Sequence, residues 1–221
     1  MIRHPICIDF SRKVVTIPLF MNEKRFTGLA PPDLRLKAWS KQLGPFALFA
    51  GVLRWYKGLD VLLDAAKHID GDIVIVGTGP LYGHLADRIR NEHLDRVHLL
   101  GFQPDRNLAW LIRQSRMIVL PSITPAEAFG QILLEGLFFE KPLISTELGT
   151  GTSRVNRHGR TGLVVRPGCI RSLALAMNAL FDDPSLAARF SQNCRRHYDI
   201  HFTPRVQGEK YLDIYRALLQ S

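Results

Sequence analysis

From residue 46 onward, apolar and polar positions alternate in blocks rather than residue by residue. Short apolar runs occupy 46–51, 72–77, 97–101, 117–121, 142–145 and 162–165, and most of them close in Gly, Pro or Ser. Several, such as IVIVG and MIVLP, are continuous, which is how strands covered on both faces read. Between them lie amphipathic stretches at roughly 58–69, 80–92, 105–115 and 128–139. In the first of these Leu59, Leu62, Leu63 and Ala66 recur at i, i+3, i+4 and i+7, one face of a helix. Strand–helix alternation of this kind predicts right-handed βαβ units and an α/β, Rossmann-like, doubly wound parallel sheet of about six strands. After the last strand the pattern is helical only, over about 170–182, 184–199 and 204–219.

The first 45 residues differ. Residues 13–18 predict a strand, 22–32 a loop, and 33–43 a short amphipathic helix with Asp33 as its N-cap. That segment is too short to fold as its own α/β unit. The chain therefore divides into a lead-in (1–45), a Rossmann-like domain (46–200) and a C-terminal helix (201–221).

Composition narrows the function classes. The 221 residues suffice for one packed core but leave little room for two full α/β domains. No apolar run approaches the roughly 20 residues of a membrane span. The first 20 positions carry Arg3, Asp9, Arg12 and Lys13 and no apolar signal region. Cys7, Cys169 and Cys194 are odd in number and form no CxxC pair, which suggests neither a disulfide framework nor a zinc site and fits a reducing cytoplasm. His197 and His201 have helical spacing but lack an intervening Glu and a third ligand, so they are expected to be an ordinary surface pair. The net charge of +9 favours anionic partners, yet the basic residues are spread along the chain without an aromatic–basic motif, so no specific nucleic-acid partner is expected.

In an open α/β sheet ligands bind beyond the carboxyl ends of the strands, here the turns at 51–57, 77–80, 101–104, 121–130 and 146–153. The strongest pattern there is PAEAFGQILLEGL, which starts at Pro125. Seven residues separate Glu127, in the strand-to-helix turn, from Glu135, in the helix. The N–H groups of Phe129, Gly130, Gln131 and Ile132 fall in the expected first helical turn, where free donors and the helix dipole favour a phosphate. Gly130 lacks a Cβ and permits close approach. The alternative is structural: Glu127 as a first-turn carboxylate and Glu135 as a surface helix residue. GTGPLYG has Tyr82 where a dinucleotide fingerprint needs Gly, so NAD(P) binding is not expected. Gly77, Gly79 and Pro80 read by themselves as a tight turn. No G-x-S-x-G elbow, P-loop or HExxH occurs, and Ser145, Thr152 and Ser153 have no evident base partner.

Taken together, E-x7-E after a strand ending in LPS, with AFG just past the first Glu, resembles the retaining glycosyltransferases of family 4, which have the GT-B fold. LFAGVLRWYKGLDVLLDAA, IVIVGTGPLYGHL, VHLLGF, KPLISTELGTGTSRVNRHGRTGLVVRPG and VVTIPLFMNEKRF resemble further family segments in the same order, covering about residues 13–220. The resemblance is to the C-terminal, donor-binding half. It implies that Glu127 bonds a sugar hydroxyl and that the amides of Phe129 and Gly130 touch the sugar. Gln131 and Ile132 would hold the diphosphate, and Glu135 the ribose. Arg54 and Lys57, in the turn that opens at Gly51, would neutralise the leaving diphosphate. Gly77, Gly79, Gly101 and Phe102 would border the base, with Glu147, Thr150 and Gly151 at the pocket edge. Two fixed cations can replace a metal ion, so no metal and no cofactor beyond a UDP- or GDP-sugar is implied.

Two departures stand out. Val52 occupies a position where the family has Arg, and Glu140 precedes Lys141 where the family has a helix-capping Gly. Gly136 inside the helix is expected to weaken it by roughly 1 kcal/mol relative to Ala. The resemblance further implies retaining hexosyl transfer to a glycan or lipid-linked acceptor in surface polysaccharide or lipopolysaccharide synthesis. The setting would be the cytoplasm or the inner membrane face, and peripheral membrane association stays open. An N-terminal half, upstream or on a partner, would be needed for turnover. The last helix, with Tyr211, Leu212, Ile214, Tyr215, Leu218 and Leu219 apolar, would cross to it. A non-catalytic nucleotide-sugar binding module and a GT-B epimerase are the alternatives.

Overall fold

The computed structural model describes residues 14–220. Six strands form one wholly parallel sheet: β1 (Phe46–Ala50), β2 (Asp72–Val76), β3 (Val97–Gly101), β4 (Met117–Leu120), β5 (Leu143–Thr146) and β6 (Gly162–Val165), in the order β3-β2-β1-β4-β5-β6. Every residue of β1, β4 and β5 is buried, whereas the edge strands β3 and β6 are mostly half-buried. That difference explains the continuous apolar runs, because a central strand has no solvent-facing side.

The helices are α1 (Leu34–Ser40), α2 (Leu59–Ala66), α3 (Tyr82–Asn91), α4 (Asp105–Gln114), α5 (Gln131–Phe138), α6 (Thr152–Val155), α7 (Ile170–Asp182), α8 (Pro184–His201) and α9 (Pro204–Leu219). One group, α2, α3 and α7, packs together, and α4 with α1 and α5 with α6 and α8 form the other. Right-handed crossovers put α2 and α3 on one face and α4, α5 and α6 on the other, with α7 packed against α2 and α8 against α5. Among the described residues no helix is long and apolar enough to cross a membrane.

The lead-in departs from expectation in one element. Lys13 lies outside the described residues, and residues 14–18 form no strand, with Val14 and Val15 exposed. The loop at 22–32 contains a 3-10 turn, Glu23–Phe26, whose Phe26 is buried. Asp33 caps α1, its carboxylate accepting from the amides of Arg35 at 2.9 Å and Leu36 at 3.2 Å. Helix α1 is bound to α4 by Trp110 Nε1 donating to Ser40 Oγ (2.9 Å) and by the Asp33 amide donating to Asn107 Oδ1 (2.9 Å). No residue of α9 is buried, and Tyr211, Leu212, Tyr215 and Leu219 are exposed. Cys7 lies outside the described residues, and Cys169 and Cys194 are free thiols.

Helix α5 shows why local propensity is a poor guide at two positions. A Cβ on Gly136 would lie 2.6 Å from Leu143 Cδ2 and 2.9 Å from Ile118 Cγ1, so glycine lets the helix settle onto β4 and β5. At the other end Glu140 adopts a left-handed φ of 59°. The Lys141 amide donates to Gly136 O (2.8 Å) and the Glu140 amide to Leu137 O (3.1 Å), the Schellman pairing made without a glycine. Gly136→Ala should therefore lower stability by about 1–2 kcal/mol in urea unfolding, despite the gain in helix propensity. An unchanged or raised midpoint would show that α5 does not need that close approach.

Candidate active site

Strand order reverses between β1 and β4, so the turns that follow these two strands face each other across the crevice at the switch point. After β1 the chain runs through Gly51 to a 3-10 turn, Trp55–Lys57, and Gly58 in the left-handed region starts α2. After β4 it runs through Ser122 and Glu127 to Gly130, the N-cap of α5. The Lys57 ammonium lies 2.5 Å from Glu127 Oε2, and Ser122 Oγ donates to the same oxygen at 3.1 Å. Both side chains are nearly buried, at 13% and 8% exposure. The Ile123 amide donates to Tyr56 O (2.8 Å), which ties the two turns through backbone as well. The turn after β5 closes on the same group: Thr150 Oγ1 donates to Glu127 O (2.9 Å) and the Gly151 amide to Ala128 O (2.9 Å).

Helix α5 begins at Gln131, three residues later than its apolar pattern predicts, so Phe129 precedes the helix rather than belonging to its first turn. The cause is Gly130, whose φ of 77° breaks helical geometry and whose Cβ would lie 2.6 Å from Leu120 Cδ2. Among the described residues, none accepts from the amides of Gln131 or Ile132. These donors and the positive end of α5 point toward the crevice end of β4.

Glu135 is not a surface residue. It is 5% exposed, and Arg25 reaches it from the lead-in, Nη1 donating to Oε1 at 2.7 Å. Arg25 also donates to Asp105 Oδ1 from Nε (2.8 Å) and Nη2 (2.6 Å), and its own pKa is raised, foremost by that bond. Burial pushes the Glu135 carboxyl up to about 7, with Asp105 adding to the rise and Arg25 opposing it.

The turns after β1, β2 and β3 are laced together by Gly51 N–H to Val76 O (3.0 Å), Leu53 N–H to Thr78 O (2.9 Å) and Gly77 N–H to Gly101 O (2.8 Å). A Cβ on Gly77 would lie 1.9 Å from Gly51 O, and one on Gly79 2.6 Å from Leu53 O, so close packing of turns alone requires glycine there. Arg54 is exposed and, among the described residues, forms no ion pair, so unlike Lys57 it is not bonded to Glu127. Phe102, after β3, is 74% exposed, and Val52 and Trp55, after β1, are exposed as well. Sequence reasoning missed Arg25, Asp105 and Ser122. Only Ser122, in LPS at a strand's end, carried a local signal, since the partners of Arg25 are 80 and 110 residues away.

Residues 36–197 match the family described as Glycosyl transferases group 1. The chain belongs to that family. It is 44% identical over 174 residues to the D-rhamnosyltransferase WbpZ of Pseudomonas aeruginosa, covering 78% of this chain and 46% of that protein. It is 36% identical over 213 residues to the O-antigen chain mannosyltransferase C of Escherichia coli, covering 96% and 57%. The chain thus spans about half the length of these group 1 relatives. A glycosyltransferase from Rickettsia africae superimposes with a TM-score of 0.79 at 25% identity over 95% of this chain and 58% of that one. Anabaena HepE, solved with UDP and glucose, shares the fold with a TM-score of 0.76 at 19% identity, covering 90% of this chain and 55% of that one. The parallel six-stranded sheet is therefore the group 1 version of a Rossmann-like, GT-B half.

The Glu135 carboxyl has a measurable signature. Its folded-state pKa near 7 lies above the ordinary value of 4.5, so the folded chain binds more protons than the unfolded one between them. Stability from this group is full below about pH 4.5 and is lost as pH rises through 7, on the order of 3 kcal/mol by pH 8. Glu135→Gln should remove that decline, read as the difference between urea-unfolding energies at pH 4.5 and pH 8. Equal declines in parent and variant would refute the assignment.

Proposed function

We propose that this chain is the nucleotide-sugar-binding half of a glycosyltransferase that moves a hexose, with retention, from a UDP- or GDP-sugar to a hydroxyl of a surface-glycan precursor. The observation that carries this reading is the buried Lys57–Glu127 pair beside the open N-terminus of α5, at the sheet's switch point. A diphosphate fits between the Lys57 ammonium and the Gln131 and Ile132 amides, where negative charge grows as the sugar departs. Glu127 then accepts from a sugar hydroxyl, and its companion Ser122 keeps one oxygen occupied while Lys57 turns to phosphate. The amides of Phe129 and Gly130 border the sugar. Glu135 accepts from the ribose hydroxyls in exchange for Arg25. Arg54 reaches the outer phosphate from its exposed position, and Gly51, Gly77, Gly79 and Phe102 frame the base.

On this reading the charge of the diphosphate is met by protein groups, so nucleotide binding is insensitive to EDTA. Transfer requires an opposing domain that brings the acceptor, in keeping with relatives about twice as long as this chain. The naming of two relatives for rhamnosyl and O-antigen mannosyl transfer supports a surface polysaccharide as the product's destination.

Calorimetric titration with UDP, GDP, ADP and uridine tests the site. Lys57→Gln should weaken the preferred diphosphate at least tenfold and leave uridine nearly unchanged. Glu135→Ala should weaken both nucleoside and nucleotide by roughly 1–3 kcal/mol, the range for a hydrogen bond to a charged acceptor. If both variants bind the panel as the parent does, the assignment is wrong.

A further inference from the structure

Some cations of this chain are paired. Arg25, Arg88, Arg195, Arg205 and Arg216 each meet a carboxylate within 4 Å. One pocket, of about 710 Å³, gathers five that meet none. It lies between α6, the turn at 157–161, the C-terminal half of α8 and Lys210 of α9, with Thr16 and Pro18 at its rim. Arg154, Arg157, Arg160, Arg196 and Lys210 line it, no Asp or Glu does, and none of the five forms an ion pair among the described residues. Five positive groups around one hollow repel each other, and the arrangement is relieved by an anion that several of them contact together.

The histidines of α8 report the same field. His197 and His201 line this wall with ring centroids 4.8 Å apart, and His197 Nε2 bonds to Arg154 O at 3.0 Å. Both are held below the ordinary histidine value, first by burial and then by positive neighbours. These are His201, Arg157 and Arg160 for His197, and Lys210 and Arg157 for His201, with only the Arg154 carbonyl acting the other way. Among the described groups that act most strongly on either ring, none is a carboxylate.

We infer that this pocket is a second anion site, which takes a phosphomonoester or diphosphate group carried by a soluble molecule or by a lipid headgroup. Guanidinium groups suit phosphate because they offer paired N–H donors to its oxygens. The site is distinct from the Lys57 crevice but adjoins it: Phe202, in the pocket wall, meets Phe129 edge-on with ring centroids 6.2 Å apart. Bound phosphate offsets the cations acting on His197 and His201, so binding takes up protons and tightens as pH falls from 7.5 to 6.

Pyrophosphate titration of the chain, of its Lys57→Gln variant and of a double variant, Arg157→Ser/Arg160→Ser, made in the Lys57→Gln background tests this. All three positions lie outside strands and α-helices, and circular dichroism checks that each variant folds. The expected result is binding that survives Lys57→Gln, falls at least tenfold in the double variant and strengthens toward pH 6. Flotation with phosphatidylglycerol vesicles separates the sources. Vesicle binding that pyrophosphate displaces and the double variant lacks assigns the group to a lipid surface, and pyrophosphate binding without vesicle binding assigns it to a soluble ligand. Pyrophosphate binding that Lys57→Gln abolishes, or that the double variant leaves intact, overturns the inference. So does vesicle binding that persists unchanged in the double variant. Failure of the UDP and GDP titrations would instead strike the donor-site reading and leave this one standing.

Discussion

The Lys57–Glu127 pair is the contact on which the rest of the site depends. A carboxylate at 8% exposure and an ammonium at 13% are stable together and costly apart, because removing one strands the other in a poorly hydrated crevice. Their meeting also expresses the topology. Lys57 follows β1 and Glu127 follows β4, and these strands are neighbours only because the sheet winds outward in both directions from between them. The Ile123–Tyr56 backbone bond and the Thr150 and Gly151 contacts hold the three turns at one depth. Desolvation of the two charged groups is thus already met by folding, and the polar groups of the crevice stand in place before any ligand arrives.

A second polar cluster, around Glu135, joins elements that the sheet does not. Arg25 from the lead-in spans Glu135 on α5 and Asp105 at the start of α4. The same 3-10 turn is held from its other side, where Tyr198 of α8 donates to Glu23 Oε1 at 2.8 Å. Two packing contacts reinforce it: Phe26 meets Phe139 edge-on at 5.1 Å, and Met21 is buried. The lead-in from residue 21 on is therefore an integral part of the packed body. Its arginine bonds a carboxyl that the nucleotide reading needs. Burial, with Asp105 adding to it, drives that carboxyl toward neutrality, and a 41%-exposed arginine opposes the shift.

Most of the architecture was legible from residue order. Strands over 46–51, 72–77, 97–101, 117–121 and 162–165 lie within a residue of their predicted ends, because fully buried strands leave unbroken apolar runs. Helices α7 and α9 match their predicted spans, and Asp33 caps α1 through its own side chain, a purely local interaction. Errors cluster where the deciding contact is distant. The strand predicted at 13–18 has no place in the sheet over its described part. Helix α5 starts late because Leu120 and a left-handed Gly130 intervene. Gly136, a helix weakener by propensity, is demanded by Leu143 and Ile118, and Glu140 takes a left-handed cap that local preference assigns to glycine.

For the site the same division holds. Sequence by itself determined which residue types stand at the strand ends: a lysine after β1, two glutamates seven residues apart around a glycine after β4, and glycines after β2 and β3. Spacing along one strand–turn–helix unit is a local property, and local geometry follows from it. Tertiary structure alone decided that Lys57 meets Glu127, that Arg54 is not bonded to it, that Glu135 is buried under Arg25, and that five scattered cations share one pocket with no carboxylate. Each of these is a distance between residues far apart in the chain, set by the order in which parallel strands pack. Burial and charge state follow from those distances rather than from residue type.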